Sequence, residues 1–161
     1  MAISMSKMPL QTVGTVIATQ TVQFVATSDV EIGGISHTIT PLGANSKFLV
    51  TVRWIGECSA GWDAVFNIQM DGVRVNINGQ GRGFGLGMPT LTYHNNFNST
   101  PETLSISTLV NTSSVIGTPI TFRLVADANS GVTMCTNRCT LTVNAAYERG
   151  TSEIIITEIG T

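Results

Sequence analysis

Charge is what this chain has least of. Asp, Glu, Lys and Arg make up 11% of its 161 residues, against roughly a quarter in an ordinary soluble domain. Long apolar runs are missing too. Although 42% of the chain is hydrophobic, stretches such as 48–52 and 154–156 fall far short of the ~20 residues a spanning helix needs. Two lysines and six arginines are scattered along the chain for a net charge of −2. No basic face of the kind that holds nucleic acid is present. Residues 1–11 carry one lysine and no apolar core of about 7–15 residues, so they do not read as a signal peptide. Folding in a cytoplasm is the expectation.

Cysteine and histidine are scarce as well. A secreted disulfide scaffold would carry an even and larger number of cysteines than three. Two readings stay open: three buried free thiols, or a Cys135–Cys139 bridge across the Thr-Asn-Arg turn with Cys58 left over. His37 and His94 have no second His or Cys at metal-ligand spacing. No G-x-S-x-G elbow and no G-K-[ST] phosphate loop occurs. Asp29, Asp71 and Asp127 read as turn residues, and Glu153 and Glu158, five apart, would face opposite ways on a strand. No catalytic residue, cofactor site or metal ligand is assigned, and no enzymatic activity is expected.

Thr, Ser, Asn and Gly replace the missing charge, set between short Val/Ile/Phe alternations. Period-2 alternation recurs from about residue 13 onward, while helical periodicity is scarce. Strands are expected at 21–26, 36–40, 47–57, 64–70, 91–97, 104–110, 120–126, 132–136, 140–146 and 154–159. Asp71-Gly72 supplies a two-residue turn of the type that wants positive φ at both positions. Val73, Val75 and Ile77 are expected to answer on the return strand. Short strands at roughly ten-residue spacing, with turn chemistry between them, indicate an all-β jelly-roll sandwich of about eight to ten antiparallel strands. Residues 1–11 are expected to form an extended N-terminal arm and 12–161 a single domain.

Two segments suggest contact surfaces. Ile154 and Ile156 would lie on one face of the last strand, Ile155 and Ile159 on the other. A two-sided apolar strand at a sheet edge invites aggregation, so it is either central or covered by another subunit. Gly79, Gly81, Gly83, Gly85 and Gly87 alternate with larger residues. They form either a flexible loop or an extended segment whose bare face admits another backbone. Tyr93, His94, Asn95, Asn96 and Phe97 combine aromatic faces with amides, a mixture able to grip a glycan or another backbone. Trp62 would be a further platform.

Ile39-Thr-Pro41 followed by Asn45-Ser-Lys-Phe-Leu-Val-Thr-Val52 resembles a segment of small tailed-phage structural proteins. Thr151-Ser-Glu-Ile-Ile-Ile-Thr-Glu-Ile-Gly160 resembles the end that closes many of those chains, with Phe66–Gly72 and Thr121–Ala126 falling at paired core strands between. The resemblance covers roughly residues 20–160. It implies a jelly roll of the kind seen in tumour-necrosis-factor and C1q domains, built as a homotrimer on a virion. The partners implied are further copies of the chain and the major capsid protein or another virion protein, with no nucleic acid and no membrane. Capsid cement, decoration protein or head fibre is the expected role; a tail-fibre tip that reads a receptor or glycan is the alternative.

Overall fold

The computed structural model describes residues 8–26, 28–59, 64–75, 101–128, 131–139 and 148–161. They form ten strands: β1 (Pro9–Ile17), β2 (Thr21–Val25), β3 (Val30–Ile39), β4 (Lys47–Cys58), β5 (Ala64–Met70), β6 (Val73–Arg74), β7 (Glu102–Asn111), β8 (Ile120–Ala128), β9 (Val132–Thr136) and β10 (Ser152–Ile159). The pairs β1–β10, β2–β9, β3–β8, β4–β7 and β5–β6 nest inside one another, all antiparallel. They amount to one long folded ribbon whose tip is the Asp71-Gly72 turn, where both φ angles are positive (48° and 85°), as a type I′ hairpin requires.

The ribbon is rolled up by a second set of pairings. β10 and β9 share one edge of β4, while β5 pairs β8. The result is a six-stranded sheet, β1-β10-β4-β9-β2 with β7 on the far edge of β4, packed on a four-stranded sheet, β3-β8-β5-β6. This is the jelly roll that the strand spacing indicates.

Alternation builds the core. Phe48, Val50, Val52 and Trp54 of β4, with Ile154 and Ile156 of β10, point inward from the larger sheet. Ile32, Ile35 and Ile39, Phe66 and Ile68, and Phe122 and Leu124 meet them from the smaller one. Ring pairs span the layers: Phe48 and Phe122 lie 5.6 Å apart, Trp54 and Phe66 5.1 Å apart. The Trp54 Nε1 donates to Thr136 Oγ1 at 3.0 Å, satisfying the one polar atom that ring buries. Gly56 lies beside this ring, and any Cβ there would run into the Cys135 carbonyl and the Trp54 ring. That close approach is what lets β4 carry β9 next to β10.

Several elements depart from the expected boundaries. β1 takes in residues 9–11 of the expected arm, because Gln11 donates to both Thr40 O and Glu158 Oε2 at 2.7 Å. β3 begins at Val30 rather than Ser36, its ladder interrupted between Glu31 and Ser36. Gly33 and Gly34 supply the two positive φ angles of that bulge (58° and 69°). Asp127 is a β8 strand residue, not a turn residue. β6 is only two residues long: Val73, opposite Met70 beside the turn, is exposed, while Val75, whose N–H donates to Ile68 O at 3.0 Å, is buried. The expected strands at 91–97 and 140–146 lie outside the described residues. The last strand is central: β10 sits between β1 and β4.

Candidate functional site

The largest sheet has an outer face almost without charge. Each of its four long strands alternates, so inward side chains are buried and the alternate ones look out. Thr12, Gly14 and Val16 of β1 lie beside Thr157, Ile155 and Glu153 of β10. Those three face Leu49, Thr51 and Arg53 of β4, which in turn face Leu109, Ser107 and Ser105 of β7. Arg53 and Glu153 neutralise each other at 3.3 Å, and Lys47 stands at the rim opposite Asn111. The hydroxyls pair across strands, Thr12 with Thr157 at 3.1 Å and Thr51 with Ser107 at 3.0 Å. Hydroxyls that already have partners lose less when water is removed from them.

Gly14 puts a dimple in this face. A shallow depression of about 300 Å³ lies over it, bordered by Thr12, Val16, Glu153 and Ile155. The glycine is enforced from below, since a Cβ there would contact the Ile154 carbonyl oxygen at 2.5 Å. A sheet face with so little charge and a small depression can receive a protruding side chain from another protein surface.

The outer face of the smaller sheet is different in kind. Arg74 binds Asp29 with two of its nitrogens, its Nε lying 3.0 and 2.9 Å from the two carboxylate oxygens. It also reaches Asp127 Oδ2 at 2.9 Å, while Gln69 donates to Asp29 at 2.8 Å. The Asp29 bond, opposed by burial and reinforced by Asp127, holds the Arg74 pKa above its ordinary value. Glu31 and Arg123 pair nearby at 3.5 Å. Sequence reasoning missed this cluster because Asp29, Arg74 and Asp127 are brought together only by the β3–β8–β5–β6 pairing. A guanidinium locked between two carboxylates ties three chain segments together; it does not leave a proton donor facing a base.

The remaining candidates divide plainly. Ile154 and Ile156 are core residues with no exposed surface; Ile155 and Ile159 lie on the outer face. Gly79, Gly81, Gly83, Gly85 and Gly87 fall outside the described residues, as do Trp62, Tyr93, His94, Asn95, Asn96 and Phe97. His37 shares a hydrogen bond of 2.7 Å with Thr15 Oγ1, joining the two sheets at their β1/β3 edge. Among the described residues, no three His, Cys, Asp or Glu side chains are grouped to hold a metal.

Cys58, Cys135 and Cys139 are free thiols, all buried. Burial, followed by the charges of Glu102, Cys135 and Glu57, pushes the Cys58 thiol far above its ordinary pKa. Burial also raises Cys135, against the pull of Arg138. Cys139 donates to Glu148 Oε2 at 3.2 Å. Thiolate is the reactive form, so a thiol-exchange reagent at pH 8 should find almost nothing in the native protein. The same reagent should count three thiols in guanidinium. Only one thiol in the unfolded chain would mean that a disulfide had formed.

No known protein family matches this chain, and no curated protein matches it.

Proposed function

We propose that the chain is a non-enzymatic structural protein of a tailed-phage virion. In this reading it assembles as a homotrimer that binds the capsid surface, through the major capsid protein or another virion protein, and reinforces or decorates it. The supporting observation is the outer face of the six-stranded sheet, where Leu49, Leu109, Ile155 and Val16 are exposed among mutually paired hydroxyls and one neutralised ion pair. Depletion of charge marks the centre of a protein–protein contact, and among the described residues the smaller sheet, with its Arg74–Asp29–Asp127 cluster, does not share it. The jelly-roll topology agrees with the resemblance to small phage structural proteins, and that resemblance supplies the number three and the virion.

Sedimentation equilibrium at micromolar concentration is expected to give three times 17.1 kDa. A 17.1 kDa species would remove the assembly. In purified particles, a copy number that follows the capsid lattice supports cement or decoration. A handful of copies per particle would place the protein at a tail or vertex instead.

A further inference from the structure

β1 ends the six-stranded sheet: β10 pairs one of its edges, and no described strand pairs the other. Antiparallel pairing uses alternate backbone groups, so half of the N–H and C=O groups of β1 point away from β10. The register with β10 runs unbroken from Gln11 to Ile17, and all nine residues of the strand are uncharged. Exposed edges are ordinarily blunted by charge, proline, a bulge or short length. β1 has proline only at its first position, Pro9, and its one irregularity lies between Pro9 and Gln11.

The smaller sheet closes its edges by such devices. β3 carries the Gly33-Gly34 bulge, and glutamine side chains bond the backbone along it. Gln11 Nε2 donates to Thr40 O at 2.7 Å and Gln23 Nε2 to Glu31 O at 2.9 Å, while Gly33 N donates to Gln23 Oε1 at 2.7 Å. β6, at the opposite edge, is two residues long. On β1, among the described residues, the one side chain capping the backbone in this way is Asn137, whose Nδ2 donates to Ile17 O at 2.8 Å. Residues 12–16 are left open.

The depression over Gly14 marks the same stretch. It is lined by every residue from Thr12 to Val16, although Val13 packs against the core and Thr15 bonds to His37. What it exposes is therefore the backbone of the strand as well as the bare Cα of Gly14. A glycine near a sheet edge is compensated by an aromatic ring on the adjoining strand. Gly14 has Ile155 of β10 on one side and no described strand on the other.

We infer that β1 takes an added β-strand from another protein, an extended uncharged segment with an aromatic residue opposite Gly14. Main-chain bonds supply the affinity, and the ring in the depression sets the register. In the assembly proposed above, that protein is the capsid or other virion partner. The β1 strand of a second copy would pair there with two-fold symmetry and close a dimer, so its exclusion rests on the proposed homotrimer.

The peptide acetyl-Thr-Val-Thr-Phe-Thr-Val-Thr-amide, added to the intact protein, tests the edge by amide hydrogen exchange. Exchange at alternate residues between Thr12 and Val16 should slow about tenfold at saturating peptide, with no change along the interior strand β8. A ladder uses every second N–H. N-methylating one alternate set of the peptide's amides should therefore abolish the protection, and methylating the other set should leave it. Alanine in place of the peptide's phenylalanine should weaken binding about fivefold; equal binding would overturn the ring's place opposite Gly14. Sedimentation separates this inference from the assembly. A trimer whose β1 amides stay unprotected, or respond alike to both methylated peptides, would overturn the added strand and leave the assembly standing. A monomer that gains the alternate protection would do the reverse. A dimer in which these amides are already slow would overturn both.

Discussion

Ile156→Asp is expected to leave the chain unable to fold, whereas Ile155→Asp, one residue earlier, is expected to give a folded protein that no longer associates. Ile156 has no exposed surface and lies opposite Val13 on β1 and Val50 on β4. Deleting a buried aliphatic side chain costs about 2–5 kcal/mol, and an unpaired carboxylate in its place costs several more. Together these approach the ~5–15 kcal/mol that holds a whole domain folded. Ile155 is 38% exposed on the outer face, between Gly14 and Thr51. In the proposed assembly a carboxylate there stays hydrated in the monomer and is stripped of water only when another copy covers it. Far-UV circular dichroism should show the loss of β signal for Ile156→Asp alone, and sedimentation should find Ile155→Asp at 17.1 kDa. Undiminished assembly of Ile155→Asp would mean that the copies meet somewhere else.

This contrast between neighbours was legible in the sequence, because a strand needs nothing beyond its own alternation to sort its faces. The same local signal located Phe48 to Trp54, Phe66 and Ile68, and the Asp71-Gly72 turn. What the sequence hid is what depends on distant partners. Gly33 and Gly34 disguised the first half of β3, since paired glycines resemble a loop until Gln23 is seen accepting from Gly33 N at 2.7 Å and donating to Glu31 O at 2.9 Å.

Asn137 looked like part of a plain turn. It reaches Ile17 O and Thr19 O with its amide nitrogen and accepts from Ser152 Oγ, tying the ends of β1, β9 and β10 together. Its partners lie far away in sequence, so local composition could not reveal it. The Arg74 cluster was hidden for the same reason. The charge-poor sheet face was foreshadowed by low charge, but its location needed the β1-β10-β4-β7 register.

Glu158→Gln should lower stability at pH 7 by about 3 kcal/mol, the scale of a hydrogen-bonded buried charge, and the loss should fade in acid. Alternation places Glu158 on the inward face with Ile154 and Ile156, where a carboxylate would ordinarily be excluded. It is accepted because the fold surrounds it with donors. Ser46 Oγ donates to Oε1 at 2.6 Å and Gly43 N at 2.9 Å; Gln11 Nε2 donates to Oε2 at 2.7 Å; Leu42 N lies 3.0 Å from both oxygens. Burial pushes its pKa up, but the bonds from Ser46, Gln11, Leu42 and Gly43 outweigh that and hold it below the ordinary 4.5.

A depressed pKa in the folded state means that the unfolded chain takes up the proton first. The stabilisation is therefore complete above about pH 4.5 and is lost as pH falls through the folded value. Glutamine cannot substitute fully, because in either orientation its amide nitrogen would turn a donor towards the Leu42 N–H, together with either the Gly43 N–H or Gln11 Nε2. Urea midpoints of the two proteins should thus differ widely at pH 7 and draw together as pH falls below about 4.5. A gap that stayed constant across that range would show that shape, not charge, is what Glu158 contributes. Since the carboxylate holds Leu42 and Gly43 in place, the same acid step should loosen the loop between β3 and β4 before it loosens the core.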